Sequence, residues 1–330
     1  MKKVVLYNPS ITSLNMGDHI IVDSAKPFLE PAFRDAFVVE VSTHLPVSDL
    51  FANFLREADQ KFVMGTNLLR GRMDRRFRQW DVNIFNAGRL GPATLMGVGW
   101  WQYGDTLDRY TGALYRRVLS RNGLHSVRDS FTRESLAQAG ITNVVNTGCP
   151  TLWRLTPDHC HGIPEGRGDR VVTTVTDYHK DPEADLEMLK YLQGVYGSVS
   201  LWLQGLEDDR YAEVLRQSMP SIELIAPTLD KFDEALSVPG TDFVGTRLHA
   251  GIRALQKGRR SIIVSFDNRA QEMSRDFGLV ICKRGDLSMM RSLVEGQFET
   301  KIVLPVGQID EWLGANGLPG YRESINGSVS

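Results

Sequence analysis

FVGTRLHAGIRALQKGRRSIIVSF, residues 243–266, reads as a strand, a glycine turn, a helix and a second strand. Phe243 and Val244 are apolar and run into Gly245-Thr246, the spacing predicts a helix over Arg247–Lys257, and Ser261–Val264 restarts a strand. A β-α-β block is the unit of a parallel α/β sheet, whose strands are buried on both faces and read as unbroken apolar runs. The same alternation extends to both sides. Upstream, strands are predicted at Val4–Tyr7, Phe37–Val41, Lys61–Met64, Thr94–Val98 and Val144–Asn146, with helices at Asp18–Leu29, Leu50–Ala58, Thr106–Ser120 and Ser130–Ala139. Further strands are expected at Arg170–Thr176, Ser200–Leu203, Glu223–Ile225 and Leu279–Cys282, with helices at Asp185–Tyr196, Asp208–Gln217, Leu229–Ser237 and Ala270–Phe277. The expected fold is α/β: two Rossmann-like domains facing across a cleft, with 1–156 as the first, 157–169 as a Pro/Gly-rich linker, 170–305 as the second and 306–330 as an extension. Within that extension Gln308–Leu313 suits a helix, and the polar Ser324–Ser330 is expected to fray.

The chain has 330 residues, 42% hydrophobic and 24% charged, enough for two buried cores. Lys+Arg 38 against Asp+Glu 40 leaves a formal net charge of −2, which disfavours nucleic acid as a partner but permits local basic pockets. Three scattered cysteines make no disulfide framework. The opening MKKVVLYNPS has too short an apolar run for a signal peptide, and no stretch is apolar enough to span a bilayer. The expected location is therefore cytoplasmic, with peripheral attachment to the inner face of a membrane compatible.

Several stretches carry chemistry. The helix start after Gly245-Thr246 offers backbone N–H groups and a positive dipole end to an anion, Arg247 adds a planar fork of donors, and His249 titrates near neutral pH. The plain structural alternative is Arg247 paired with a buried acid and His249 satisfied in its helix turn. Arg128 stands at a strand-to-helix junction beside Asp129, able to reach an anion or to pair with its neighbour at the surface, and Asp129 or Ser130 can cap the next helix. In PSITSLNMGDHIIVDSA, 9–25, Asn15 or Asp18 can cap a helix and Gly17 permits close backbone approach. Asp18 is also a candidate base at the carboxyl end of a parallel strand, and His19 a weaker one. Trp100, Trp101 and Tyr103 suit either sugar stacking or a core. The basic run RGRMDRRFRQW, 70–80, reads as a solvated face or a grip on a phosphorylated acceptor. His159-Cys160-His161 lacks metal-ligand spacing, and no metal is expected.

TDFVGTRLHAGIRAL resembles the "RLHA" signature of the polysaccharide pyruvyl transferase family. SFDNRAQEMSRDFGL resembles that family's Y-x-x-K turn and following helix, with Phe266 in place of tyrosine and Arg269 in place of lysine. VRDSFTRESLAQAG resembles its R-D-x-x-S helix entry through Arg128 and Asp129, although Cys149-Pro150 stands where Asp-Pro is usual. Asn15, Gly17, Asp18 and Ile21 resemble its N-x-G-D-x-x-I entry, and Gly65-Thr66-Asn67 occupies the place of a Gly-rich turn. The resemblance implies a GT-B-like fold and a pyruvyltransferase that moves a pyruvyl group from phosphoenolpyruvate to a sugar diol, forming a cyclic ketal and releasing phosphate. It implies His249, Arg247 and Asp18 as catalytic residues, with Arg128, Arg247, Leu248, His249, Arg269, Asn15, Gly17, Gly65, Thr66 and Asn67 binding substrates. It implies no cofactor besides phosphoenolpyruvate as co-substrate, and a sugar or glycan acceptor that is lipid-linked, nucleotide-linked or polymeric. A homo-oligomer is compatible. Two other readings stay open: a glycosyltransferase or nucleotide-sugar enzyme on the same fold, and a non-catalytic relative that binds sugar or phosphate.

Overall fold

The structure is a computed structural model that describes all residues except 76–77, 102–103, 105, 220 and 327–330. Two six-stranded parallel sheets organise the chain. The first comprises β1 (Lys3–Asn8), β2 (Phe37–Ser42), β3 (Gln60–Leu69), β4 (Thr94–Trp100), β5 (His125–Val127) and β6 (Val144–Asn146), in the order β2-β1-β3-β4-β5-β6. The second comprises β7 (Arg170–Thr173), β8 (Ser198–Trp202), β9 (Glu223–Ile225), β10 (Thr241–Gly245), β11 (Ser261–Ser265) and β12 (Ile281–Lys283), in the order β12-β11-β10-β7-β8-β9. The helices of the first half are α1 (Met16–Leu29), α2 (Ala52–Glu57), α3 (Ala87–Leu90), α4 (Arg109–Val118) and α5 (Ser130–Gln138). They are followed by α6 (Pro157–His161), α7 (Pro182–Val195), α8 (Asp208–Arg216), α9 (Leu229–Ser237), α10 (Leu248–Gln256), α11 (Asn268–Phe277), α12 (Leu287–Glu295), α13 (Val306–Ala315) and α14 (Tyr321–Asn326).

The chain divides into two compact units. Met1–Ser13, Ile21–Trp153 and the segment from Leu304 onward form the first; Leu14–Ile20 and Arg154–Val303 form the second. These units differ from the sequence-based boundaries at both ends. The 157–169 stretch opens with α6 rather than running as a bare linker, and the C-terminal segment is part of the first core. The residues of the expected fray up to Asn326 lie in α14, and 327–330 fall outside the described residues.

Strand alternation explains the cores. Along β1, Val5 and Tyr7 join one apolar cluster while Val4 and Leu6 join the cluster on the opposite face. In the latter, Phe28 meets Trp153 edge-on at 4.8 Å, and Trp312 of α13 meets Trp153 at 5.8 Å and Phe62 at 6.1 Å. The apolar side of the C-terminal helices thus completes the first sheet's second face. In the second unit, Val171, Leu201 and Val264 pack on one face, and Val172, Trp202 and Phe243 on the other, where Trp202 stacks on Phe232 at 3.9 Å.

β5 is absent from the expected strands because His125-Ser126-Val127 is not an apolar run. Its polar side chains are nevertheless buried and bind the neighbouring strand directly. The Leu95 N–H donates to His125 Nδ1 at 3.2 Å, and the Gly97 N–H to Ser126 Oγ at 2.8 Å. His125 Nε2 lies 2.8 Å from the Ser120 carbonyl, so a single proton, on Nε2, satisfies both contacts. Burial holds its pKa down at about 4. The unfolded chain takes up a proton on this ring near pH 6.5, the folded protein only near pH 4, so stability is lost as pH falls through that window. Between pH 6.5 and 5 the loss should approach about 2 kcal/mol. Urea unfolding at the two pH values should show it, and His125→Gln should flatten that part of the profile.

Candidate functional site

In the second unit the chemistry-bearing residues gather at the carboxyl ends of the strands, where an open parallel sheet binds its ligands. β10 ends at Gly245, where a Cβ would stand 2.4 Å from Thr174 Oγ1 and 2.6 Å from its backbone nitrogen, so only glycine lets the ends of β10 and β7 come this close. The Thr246 N–H then donates to the Thr174 carbonyl at 3.1 Å, and the Arg247 N–H to Thr174 Oγ1 at 3.1 Å. Arg247 is the N-cap residue of α10, and its side chain makes no capping bond. It turns instead along the strand ends: Nε donates to the Val175 carbonyl at 3.1 Å, and Nη2 donates to Asp177 at 2.7 Å and to Asp208.

Asp208 is the better anchored of the two acids. Its Oδ2 accepts the N–H groups of Gln204 at 3.0 Å and Gly205 at 2.7 Å, and its Oδ1 the Asp177 N–H at 3.1 Å. Burial pushes its carboxyl pKa up, while Arg247 and the Gly205 N–H pull the other way. The structural alternative for Arg247, pairing with a buried acid, is therefore what is found, and the fork is held rather than idle. Leu248 and His249 follow in the first turn of α10, both buried.

The N-terminal motif belongs to this same unit. Asn15 forms an isolated bridge with Gly205, and the Met16 N–H donates to the Gln204 carbonyl at 2.9 Å. Asn15 Oδ1 accepts the Gly17 N–H at 2.9 Å and Gln204 Nε2 at 2.7 Å, so Asn15 closes the start of α1. A Cβ on Gly17 would stand 3.0 Å from Gln204 Nε2, and one on Gly205 would stand 2.8 Å from Arg247 Nη2. Asn15, Gly17 and Asp18 are thereby brought to the loop that carries Asp208. Asp18 is buried in the first turn of α1.

Arg269, in the first turn of α11, is paired with Asp267 through Nε at 2.6 Å and donates from Nη2 to the Tyr178 hydroxyl at 2.5 Å. The residues that hold the arginines, namely Asp177, Tyr178, Asp208 and Asp267, are missing from the sequence-based site. The available signal is their position: each lies in, or at the end of, a loop directly after a predicted strand.

The first unit holds a different arrangement. Arg128, just past β5, is 1% exposed. Its Nε lies 3.3 Å from Asp129 Oδ2, while Nη1 and Nη2 are buried with no hydrogen-bond partner among the described residues. Asp129 is otherwise engaged as the cap of α5: its Oδ1 accepts the Thr132 N–H at 2.7 Å and the Thr132 hydroxyl at 2.6 Å. The pairing with Asp129 thus exists, but it is buried, not superficial. The guanidinium lies over Gly99, where a Cβ would stand 2.4 Å from Cζ. Burial pushes the Cys149 thiol up in pKa, so it stays neutral and gives Arg128 no counter-charge.

Gly65, Thr66 and Asn67 form no turn; β3 runs through them with a register shift after Thr66. A Cβ on Gly65 would stand 3.0 Å from Ile21 Cγ2, which explains its glycine by helix packing. Thr66 has φ +86°, rare for a β-branched residue, and Asn67 Oδ1 is buried without a hydrogen-bond partner among the described residues.

Trp100 is a core residue, edge-on to Tyr115 at 6.2 Å, and the Arg70 guanidinium lies 4.6 Å from the Trp101 ring; Tyr103 is outside the described residues. Within residues 70–80, Arg75 is exposed while other described residues are held by the fold. Arg70, Met73 and Trp80 are buried, Arg72 pairs with Asp74 and Asp108, and Arg78 faces Asp81; 76–77 are outside the described residues. His159 Nε2 lies 2.7 Å from the Leu255 carbonyl, and among the described residues no group of three or more His, Cys, Asp or Glu could hold a metal.

A family model described as "Polysaccharide pyruvyl transferase" matches residues 15–268. No curated protein matches the sequence. Among solved structures, the chain is similar to UDP-GlcNAc 2-epimerase of Methanocaldococcus jannaschii, at 9% identity and TM-score 0.54, covering 99% of this chain and 98% of that one. It is similar to S. aureus MnaA at 12% identity and TM-score 0.54, covering 91% and 92%. The Neisseria meningitidis UDP-GlcNAc 2-epimerase follows at 10% identity and TM-score 0.50, covering 99% and 97%. These likenesses establish a GT-B-type fold.

The buried Asp208–Arg247 pair yields a direct test. Asp208→Ala leaves a buried guanidinium with Asp177 as its one carboxylate and strands three backbone N–H groups, and should cost about 3–5 kcal/mol in denaturant unfolding. Asp177→Ala, at the more exposed acid, should cost markedly less.

Proposed function

The chain belongs to the polysaccharide pyruvyl transferase family and is a transferase, and from that premise we propose that it moves a pyruvyl group from phosphoenolpyruvate onto two hydroxyls of a sugar in a glycan or glycan precursor. The observation that carries this reading is the Arg128 guanidinium, buried with two nitrogens unmatched by any described residue. Two buried guanidinium nitrogens without acceptors are too costly to keep for packing alone, and an anionic ligand relieves that cost.

Phosphoenolpyruvate has a carboxylate and a phosphate, and these suit guanidinium groups that bind two oxygens at once. We assign Arg128, Arg247 and Arg269 to the binding of substrate anions, Arg247 aided by the backbone of Leu248 and His249 at the start of α10. Arg247 acts as an oriented cation: Asp208 holds it in place, and the incoming anion competes with the more exposed Asp177. Asn15 and Gly17 are the assigned contacts to the sugar.

In the reaction, His249 as imidazolium protonates the methylene carbon. The first hydroxyl adds to C2 and gives its proton to a base, for which Asp18 is the candidate. The second hydroxyl then bonds to C2 as the C2–O bond to phosphate breaks. Of the two hydroxyl protons, one replaces that given to the methyl group and the other leaves on phosphate, so His249 and Asp18 regain their starting states. No metal is called for, because the guanidiniums stabilise the leaving phosphate.

Phosphate release from phosphoenolpyruvate, screened against galactosyl, mannosyl and glucosyl acceptors, tests the reading. His249→Ala and Arg247→Ala should each abolish release, and Arg128→Met should raise the KM for phosphoenolpyruvate by about 100-fold through loss of two charge-assisted hydrogen bonds. Full activity in His249→Ala or Arg247→Ala refutes the assignment. Thermal stabilisation by UDP-sugars with none by phosphoenolpyruvate favours a nucleotide-sugar enzyme instead.

A further inference from the structure

Tyr178 stands out in the second unit because it joins two arginines from separate strand ends. It lies in the short turn Asp177–His179 after β7, and 55% of its surface is exposed. Its ring centroid is 5.0 Å from the Arg247 guanidinium carbon and 5.9 Å from that of Arg269, while its hydroxyl accepts from Arg269 Nη2 at 2.5 Å. The ring meets Phe266 edge-on at 6.0 Å. The same three residues hold three arginines: Asp177 binds Arg247 through its carboxylate, Tyr178 binds Arg269 through its hydroxyl, and the His179 carbonyl accepts from Arg284 Nη1 at 2.5 Å.

We propose that Tyr178 is an anion-binding residue of this site, holding the Arg247 and Arg269 guanidiniums against one ring and donating its own hydroxyl hydrogen to the carboxylate or phosphate of the donor. A phenol has one hydrogen to give and lone pairs to accept with. Here Arg269 uses the lone pairs, which leaves the hydrogen for another acceptor and strengthens it as a donor. Tyr178 keeps more than half of its surface open beside two cations. The hydroxyl lacking at Phe266 is thereby supplied from a different loop, with Phe266 reduced to packing against its replacement.

The inference rests on phosphoenolpyruvate as donor, so two probes separate the failures. Isothermal titration of the full-length protein with phosphoenolpyruvate and, separately, with inorganic phosphate should show Tyr178→Phe weakening both by roughly tenfold or more. The melting temperature without ligand should fall by no more than a few degrees, because only the Arg269–Tyr178 hydrogen bond is lost while ring packing and both cation–π contacts persist. In turnover, the loss should appear in the KM for phosphoenolpyruvate, with kcat within about twofold, whereas a general loss of structure would lower kcat as well. Phe266→Tyr added to Tyr178→Phe should recover affinity. Wild-type affinity of Tyr178→Phe for both anions overturns the proposal, and failure of the double variant to recover overturns the substitution of one hydroxyl for the other. Should the wild type bind phosphate and not phosphoenolpyruvate, the donor assignment falls, and the phosphate titration alone decides the role of Tyr178.

Discussion

A guanidinium taken out of water must be met by charge or by several acceptors, and this constraint organises the polar interior of both units. Arg260, fully buried, meets Asp242 at 3.4 Å and the carbonyls of Glu165 and Gly296 at 3.0 Å each. Arg284 meets Asp185 at 3.0 Å, and Arg247 meets Asp208 and Asp177. Arg128 breaks the pattern. Its neighbour Asp129 caps α5 through Oδ1 and meets Nε alone at 3.3 Å through Oδ2, Nη1 and Nη2 have no partner among the described residues, and the residue where the family usually has an acid is a neutral thiol. The partners of Arg260 and Arg284 account for those residues within the fold, whereas the two unmatched nitrogens of Arg128 call for a ligand.

Parallel strand packing decides where such residues can stand. Helices seal both faces of each sheet, so polar side chains that must meet a ligand are confined to the strand ends. Gly245 opens the end of β10, Gly17 and Gly205 admit the N-terminal motif beside Asp208, and Gly99 makes room for the Arg128 guanidinium. At each, the missing Cβ is where another group sits.

Much of the architecture was legible in the order of residues. Unbroken apolar runs such as Val4–Leu6 and Ile262–Val264 mark strands buried on both faces, and Glu223–Ile225 and Leu229–Ser237 coincide with their expected bounds. β5 was not legible, because His125 and Ser126 look like loop residues until the β4 amides that they accept are in place. The arginines were legible as cations, but their partners were not: Asp177 and Asp208 lie 70 and 39 residues from Arg247 in sequence, and Tyr178 lies 91 from Arg269.

By itself, the sequence determined the repeated βα alternation, the glycine junction before Arg247 and the identity of the charged residues, since each depends on neighbours within a few positions. Only the tertiary structure decided which guanidinium nitrogens find partners, that Asn15 bonds to Gln204 and lies beside the Asp208 loop, and that Tyr178 joins Arg247 to Arg269. The reason is physical. Periodicity is a local property of the chain, whereas compensation of a buried charge depends on distances across strand ends that folding alone brings within reach.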